Sequence, residues 1–444
     1  MLRRDPLALF TELRCRGEEI SSFRFGRHRF LLVHDPELAL QALLADGNRY
    51  QRETAAFKRW TRNPRFLAPS GLFMPQAPPE RHLRARKALS PVFRRARTDL
   101  RYERLRTLAE RGVTELEPGR VEIVAPLRLL TLEMALAVMF GRELEFPPAE
   151  LVPKIETLIE VGTPSSSSLR EVLRLLRPPR LLRLARAQES LLALLTVAIE
   201  QVRAEGVDGD DILSLLVRVG KAEGLGEREL TMEAFGHLFS LPDSTVYVLA
   251  WMLALLAGDA DAQARLAAEA DALAGFDGEA GPSHSEAPFT HAVLAETMRL
   301  YPSAWRLGRW ALVDHELGGT QVRRGDHVWV SPYTLHRDPR FWPDPDAFRP
   351  ARWLDGSSDS SARRAYIPFS AGTRRCLGEY VARRESVAAT LALARRFGFT
   401  LPAPLPKPEP AGALRPHGRR LELELTLRTP AARALPQPAA AAGR

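Results

Sequence analysis

Ten consecutive residues, Phe369-Ser370-Ala371-Gly372-Thr373-Arg374-Arg375-Cys376-Leu377-Gly378, constrain this 444-residue chain more than any other stretch. They set one cysteine between two glycines, two residues after an arginine and just ahead of a helix-forming run from Glu379 to Arg395. A thiolate in that position sits at a helix N-terminus. Free backbone N–H groups and the positive end of the dipole favour an anion there, so the spacing predicts a lowered thiol pKa. Gly372 and Gly378 let the chain turn tightly and approach a flat ligand closely. Arg374 offers a forked donor for a carboxylate. The plainer reading makes Cys376 an ordinary buried thiol, but five specified residues at fixed spacing arise by chance about once in ten thousand chains of this length.

The rest of the chain narrows the class. With 45% hydrophobic and 26% charged residues, it has the composition of an ordinary globular protein. Cys15 and Cys376 are its only cysteines, which excludes a disulfide scaffold and any Cys-rich zinc or iron–sulfur site and fits a reducing cytoplasm. No segment reaches the roughly 18 to 20 apolar residues that span a bilayer. Met1 to Pro6 carries two arginines with no apolar stretch behind them, so it reads as neither a signal peptide nor an anchor. The net charge of +9 comes almost wholly from arginine. No nucleic-acid-binding signature accompanies it, and a basic face for an acidic electron carrier accounts for it better.

Local patterns predict a mainly α chain with small β-sheets (α+β), in one large domain over residues 1–429 followed by a disordered Pro/Ala-rich tail over 430–444. Phe23 to Val33 reads as a β-hairpin turning near Gly26. Asp35-Pro36 caps a helix through Leu44. Residues 55–79 read as loop, and residues 80–235 as amphipathic helices broken at prolines. A long helix is expected over Gly226 to Ala257, then shorter ones over Ala260 to Ala274 and Pro288 to Leu300. Strands are expected at Trp310 to Val313, Thr320 to Val322, His327 to Ser331 and, on strict alternation, Leu421 to Leu427.

The cysteine segment resembles the haem-binding loop of the cytochrome P-450 family, F-x-x-G-x-R-x-C-x-G, at Phe369, Gly372, Arg374, Cys376 and Gly378. The resemblance extends over residues 5 to 428, where Ala295-Glu296-Thr297-Met298-Arg299 and Pro345-Asp346-Ala347-Phe348-Arg349-Pro350-Ala351-Arg352-Trp353 match two further family signatures. It implies that Glu296, Arg299 and Arg352 form a buried structural network. It also implies that Cys376 ligates the iron of haem b, and that His82, Arg86 and Arg374 hold its propionates. Read alone, His82 and Arg86 belong to a solvated basic helix face.

One stretch departs from the family. Its A/G-G-x-D/E-T-T pattern aligns with Ser240-Leu241-Pro242-Asp243-Ser244-Thr245, so Leu241 replaces the glycine and Ser244 the usual threonine. Asp243 and Ser244, or Thr245, keep an acid and an alcohol for proton delivery. Pro242 removes a helix hydrogen bond and predicts a kink. The family implies a soluble cytoplasmic monomer that inserts one atom of O2 into a lipophilic terpenoid, carotenoid, fatty acid or polyketide-like molecule. Its electrons would come from ferredoxin and ferredoxin reductase or from a flavoprotein. Leu241 leaves two rivals: a peroxide-dependent or non-oxygenating haem-thiolate enzyme, and a non-catalytic haem-binding ligand sensor. Substrate contacts are expected from residues 55–79 and 155–185, Ser303 to Leu307 and Gly412 to Pro416. Arg84, Lys87, Arg375, Arg383 and Arg384 are expected on the docking face.

Overall fold

The computed structural model describes residues 5–45, 47, 49–52, 79–90, 93, 102–141, 150–162, 178–206, 209, 211–240, 242–276, 281–354 and 360–429, without the side chains of 79–81, 85, 88, 159–162, 178–181, 239, 242 and 243. The expected 55–79 loop and the tail lie outside these residues, apart from residue 79.

Near the N-terminus, helix α1 (Pro6–Cys15) leads into strands β1 (Ile20–Phe25) and β2 (His28–Val33), the expected hairpin, with Gly26 at φ +59 in its turn. A positive φ costs glycine nothing. Helix α2 (Pro36–Leu44) follows as the sequence predicts: the Asp35 side chain accepts the Leu38 N–H at 2.9 Å and proline takes the first turn. Strand β3 (Tyr50–Arg52) precedes helix α3 (Pro79–Leu89), which carries the basic face.

The helical body runs through α4 (Tyr102–Thr114), strand β4 (Gly119–Glu122), α5 (Val124–Phe140), α6 (Val152–Gly162), α7 (Pro178–Glu205), α8 (Ile212–Ala222) and α9 (Glu227–Ser240). The single helix expected from Gly226 to Ala257 is two. A second one, α10 (Pro242–Ala257), starts at Pro242 after α9 has ended at Ser240. Proline lacks the N–H that a continuing helix needs but fits a first turn, so it starts a helix here instead of kinking one.

Helix α11 (Ala260–Ala272) begins on an Asp259 cap to the Ala262 N–H at 2.9 Å. Its Glu269 carboxylate then receives the Phe289 and Thr290 N–H groups at 2.8 and 2.7 Å, capping α12 (Pro288–Leu300), which has no capping side chain of its own. Strands β5 (Leu307–Ala311), β6 (His315–Leu317), β7 (Thr320–Val322) and β8 (His327–Val330) precede the short helices α13 (Pro332–Leu335) and α14 (Ser360–Ala365). Helix α15 (Glu379–Arg396) and strands β9 (Phe397–Thr400), β10 (Pro408–Pro410), β11 (Leu414–Pro416) and β12 (Glu422–Leu427) complete the chain.

Two small sheets are closed by pairings between distant segments. One has the order β1-β2-β8-β5-β3, with β2 and β8 parallel and the other pairs antiparallel; the other places β12 between β4 and β9. Helix α10 is buried from Val246 to Ala254 and packs on α5, α12 and α15 at the centre of the largest apolar cluster. Among the described residues no single helix is long and apolar enough to cross a membrane.

Candidate active site

The cysteine loop is held by its own backbone. The Cys376 N–H donates to the Phe369 carbonyl at 2.9 Å, and the Arg375 N–H to the Gly372 carbonyl at 3.1 Å. Between them Ser370 and Gly372 take positive φ, +64 and +72. Gly372 is obligatory on a second count: a Cβ there would come within 2.6 Å of the Leu43 carbonyl oxygen in α2, a backbone atom that cannot swing away. Gly372→Ala is therefore expected to lower the amount of folded, haem-loaded protein severalfold, measured as haem per polypeptide after purification. Gly378 differs: its φ of −84 suits any residue, so no backbone freedom is needed there.

The Cys376 sulfur opens onto a cavity of about 500 Å³ whose walls also carry His82, Arg86, Arg374, Phe369, Gly378, Ser244 and Thr245. The sulfur is reachable through this cavity and yet lies deep in the protein. Burial pushes its thiol pKa up, helped by Glu379, and outweighs the Gly378 N–H hydrogen bond and the nearby Arg86 and Arg375. The lowered value expected from the helix terminus is thus reversed, because desolvation of an anion exceeds one hydrogen bond and two partly exposed cations.

His82, Arg86 and Arg374 all line the cavity. The His82 ring spans the loop, with Nε2 at 3.2 Å from the Thr373 carbonyl and Nδ1 at 3.2 Å from Arg374 Nη1. That pattern suits a neutral ring donating through Nε2 and accepting at Nδ1, a role the sequence does not suggest. Burial lowers the Arg86 pKa, and Arg374 and Arg375 lower it further, while Cys376 opposes them.

Ser244 and Thr245 sit side by side at the start of α10 but face differently. Ser244 is partly exposed to the cavity; Thr245 is 2% exposed, with Oγ1 3.4 Å from Glu385 Oε2 on α15. The Asp243 side chain and Leu241 lie outside the described residues. Of the expected substrate stretches, Ser303, Arg306, Leu307 and Gly412 line the cavity. The two stretches they belong to are tied together by Leu414 N–H to Ser303 carbonyl at 3.0 Å and by Trp305 Nε1–H to Ala411 carbonyl at 2.8 Å. Residues 163–177 lie outside the described residues.

The structural network closes fully. Glu296 accepts both Arg299 Nε–H and Nη2–H at 2.9 Å, Arg352 Nε–H at 3.0 Å, the Arg349 backbone N–H at 2.9 Å and Trp353 Nε1–H at 2.9 Å. Arg299 also donates to the carbonyls of His336, Pro345 and Ala347. The His336 ring in turn receives the Ile367 N–H at 2.9 Å, at the entrance to the cysteine loop.

The expected docking face needs one correction. Arg384 is 5% exposed and bound to the Pro282 carbonyl and the Tyr380 hydroxyl, so it cannot meet a partner. Arg375 pairs with Glu379, Arg383 with Glu379 and with the Phe369 ring, and Arg84 with Glu223. Three ionisable cavity residues escaped the sequence reading: His237, Arg309 and Glu385, all under 5% exposed. Arg309 falls in β5, one residue ahead of the strand expected at Trp310 to Val313, and Glu385 sits in an Arg-rich run that resembles a solvated helix face.

The family model described as Cytochrome P450 matches residues 2–422. The chain belongs to the cytochrome P450 family. It is similar to a cyclooctat-9-en-7-ol 5-monooxygenase of Streptomyces melanosporofaciens, 26% identical over 89% of this chain and 85% of that protein. Cyclooctatin synthase of the same organism is 28% identical over 89% and 86% of the two chains. Pentalenene oxygenase of Streptomyces avermitilis is 26% identical over 97% and 94%. This P450 is thus a monooxygenase whose cofactor is protoporphyrin IX haem iron, and its fold is the mainly α architecture with small separate sheets. Its donor set fits that group: one sulfur, basic side chains for carboxylates, and a cavity within the roughly 300 to 1,000 Å³ common for such ligands. A coordinating metal ion deprotonates a thiol outright, which supplies what the helix terminus does not.

Proposed function

We propose that this P450 inserts one atom of O2 into a lipophilic terpenoid-like small molecule, with electrons from a ferredoxin and its reductase, as a cytoplasmic monomer whose catalytic unit extends to residue 429. The observation that carries the reading is that one cavity is lined by Cys376, by His82, Arg86 and Arg374, and by Ser244. Two similar proteins bear the names of an alkene, pentalenene, and an unsaturated alcohol, cyclooctat-9-en-7-ol, which supports an apolar substrate. Met298, Val248 and Leu294 give the cavity the matching lining.

Cys376 would hold the iron through Sγ. Arg86 and Arg374 would hold the propionates, with His82 positioning Arg374 from behind. When bound, the haem supplies electron transfer and oxygen activation. Ser244 presents a hydroxyl at the cavity wall and would pass protons inward, with Asp243 on the preceding position as its source.

Purified enzyme given NADPH, ferredoxin, ferredoxin reductase and a panel of cyclic terpenes under ¹⁸O₂ is expected to yield product carrying one labelled atom. Ser244→Ala is expected to keep consuming NADPH while product falls by about 10² or more, the scale of a positioned proton donor. Full turnover with peroxide and none with NADPH would replace this reading with the peroxide-dependent one.

A further inference from the structure

Arg306 lines the cavity immediately ahead of β5 and has no part in the reaction described above. The pairing of β5 with β8 sets where it stands. Gly308 lies opposite Trp329, so the two share one face of the sheet, and residues two apart in an extended chain share a face as well. Arg306 accordingly reaches the Trp329 side, its guanidinium carbon 4.1 Å from the centroid of that ring and 5.6 Å from that of Trp305. Arg309 falls on the opposite face with Leu307 and Ala311, which pack toward α2 and the cysteine loop.

The platform under Arg306 is firmly built. Trp329 is buried, with ring centroids 4.5 Å from Phe30 and 5.7 Å from Phe10. The loop that carries Arg306 is pinned from two sides. The Trp305 carbonyl accepts Ser331 Oγ–H at 2.9 Å, and the Trp305 indole N–H donates to the Ala411 carbonyl at 2.8 Å. Stacking engages the face of a guanidinium, whereas its N–H donors lie in the plane. The fork is thus oriented before a ligand arrives, which lowers the entropy cost of binding one.

The charges around the cavity set the sign of that ligand. Among the described lining residues, Arg86, Arg306, Arg309, Arg374, Arg375 and Arg383 face one carboxylic acid, Glu385. Burial pushes the Glu385 pKa up to about 8, so it adds little negative charge near neutrality. Arg375 and Arg383 bind Glu379, and Arg86 and Arg374 would serve the two haem carboxylates. Arg306 stands on the other face of the sheet from the cysteine loop, in the Ser303 to Leu307 stretch where substrate contacts are expected.

We propose that Arg306 is a specificity-determining residue and that the molecule oxidised is a terpenoid-like amphiphile with a carboxylate at one end. The Arg306 fork receives both carboxylate oxygens, and the apolar body lies along Val248, Leu294 and Met298. One planar fork matches two coplanar oxygens of a single negative charge; a phosphate head carries more charge than one guanidinium balances. The proposal rests on the monooxygenase reading above.

Binding of matched ligands to haem-loaded wild type, Arg306→Gln and Arg306→Lys tests it. The probes are abietic acid and farnesoic acid, each beside its methyl ester and its primary alcohol, followed by the low-to-high spin shift and by calorimetry. In the wild type at least one acid is expected to bind about tenfold or more tighter than its own ester and alcohol. Raised salt should weaken the acid and leave the ester as it was. Arg306→Gln should bring acid and ester within about twofold of each other, and Arg306→Lys should keep part of the preference. An unchanged ester affinity in Arg306→Gln shows that the cavity is intact. Acids that bind no better than their esters in the wild type, which needs no variant to fold, overturn the proposal. So does an acid preference that survives in Arg306→Gln, and farnesyl phosphate binding tighter than either acid replaces the carboxylate with a phosphate head. These are binding results, so each leaves the ¹⁸O₂ and NADPH-against-peroxide outcomes to decide the monooxygenase reading.

Discussion

Cys376→Ala is expected to remove the thiolate signature of the protein completely. The dithionite-reduced carbon monoxide complex of the wild type should show the strongly red-shifted Soret band of a haem ligated by sulfur, and the variant should show none of it. The expectation is specific because the chain offers one other sulfur of this type, Cys15, at the end of α1, exposed and beside Arg14. Cys15→Ala should leave the band as it is. The loop itself should survive the change, since it is fixed by the Cys376 N–H to Phe369 carbonyl bond and by the positive φ of Ser370 and Gly372, none of which involves sulfur. Loss of the band without loss of fold therefore reports ligation, and circular dichroism on the same samples separates the two. A full red-shifted band in Cys376→Ala would remove this residue from the iron.

Much of this site could be read from the chain because its determinants are local. The Phe23 to Val33 hairpin, the Asp35-Pro36 helix start and the alternating strand ending at Leu427 each depend on residues a few positions apart. Pro288 to Leu300 was legible in the same way. Elements made by distant partners were not. Strand β4 is four residues in a helical context and exists because β12 pairs with it some 300 positions later, Leu423 facing Val121. Within helices, composition was legible but facing was not. Arg383 and Arg384 are neighbours of like charge, yet one reaches Glu379 and the Phe369 ring while the other is buried on Pro282. Glu385 lies in an Arg-rich run with nothing local to mark it, and only the packing of α10 on α15 puts it beside Thr245. Trp353 was visible as part of a signature, but its hydrogen bond to Glu296 could not be inferred from spacing.

That hydrogen bond makes Glu296 the other position where a single change should be decisive, this time for the fold. Its two oxygens receive five donors, from Arg299 twice, from Arg352, from Trp353 and from the Arg349 backbone. Glu296 and Arg299 are fully buried and Arg352 nearly so. Glu296→Gln keeps the size but removes the charge, leaving two guanidinium groups buried without an anion and turning an NH2 group toward donors. Breaking a buried ion pair on one side costs about 3 to 5 kcal/mol, against a total stability of roughly 5 to 15 kcal/mol for a folded protein. The loss should reach the cysteine loop, because Arg299 binds the His336 carbonyl and the His336 ring holds the Ile367 N–H two residues before Phe369. Urea unfolding followed by tryptophan fluorescence and by haem absorbance is expected to give a much lower midpoint for both signals, with little haem retained. Arg299→Lys should fall between, since it keeps the charge but loses the fork that binds both carboxylate oxygens. Glu12→Gln, which breaks the exposed pair with Arg16, should unfold with the wild type. If Glu296→Gln unfolds at the wild-type urea concentration, the network is not what holds the core behind the cysteine loop.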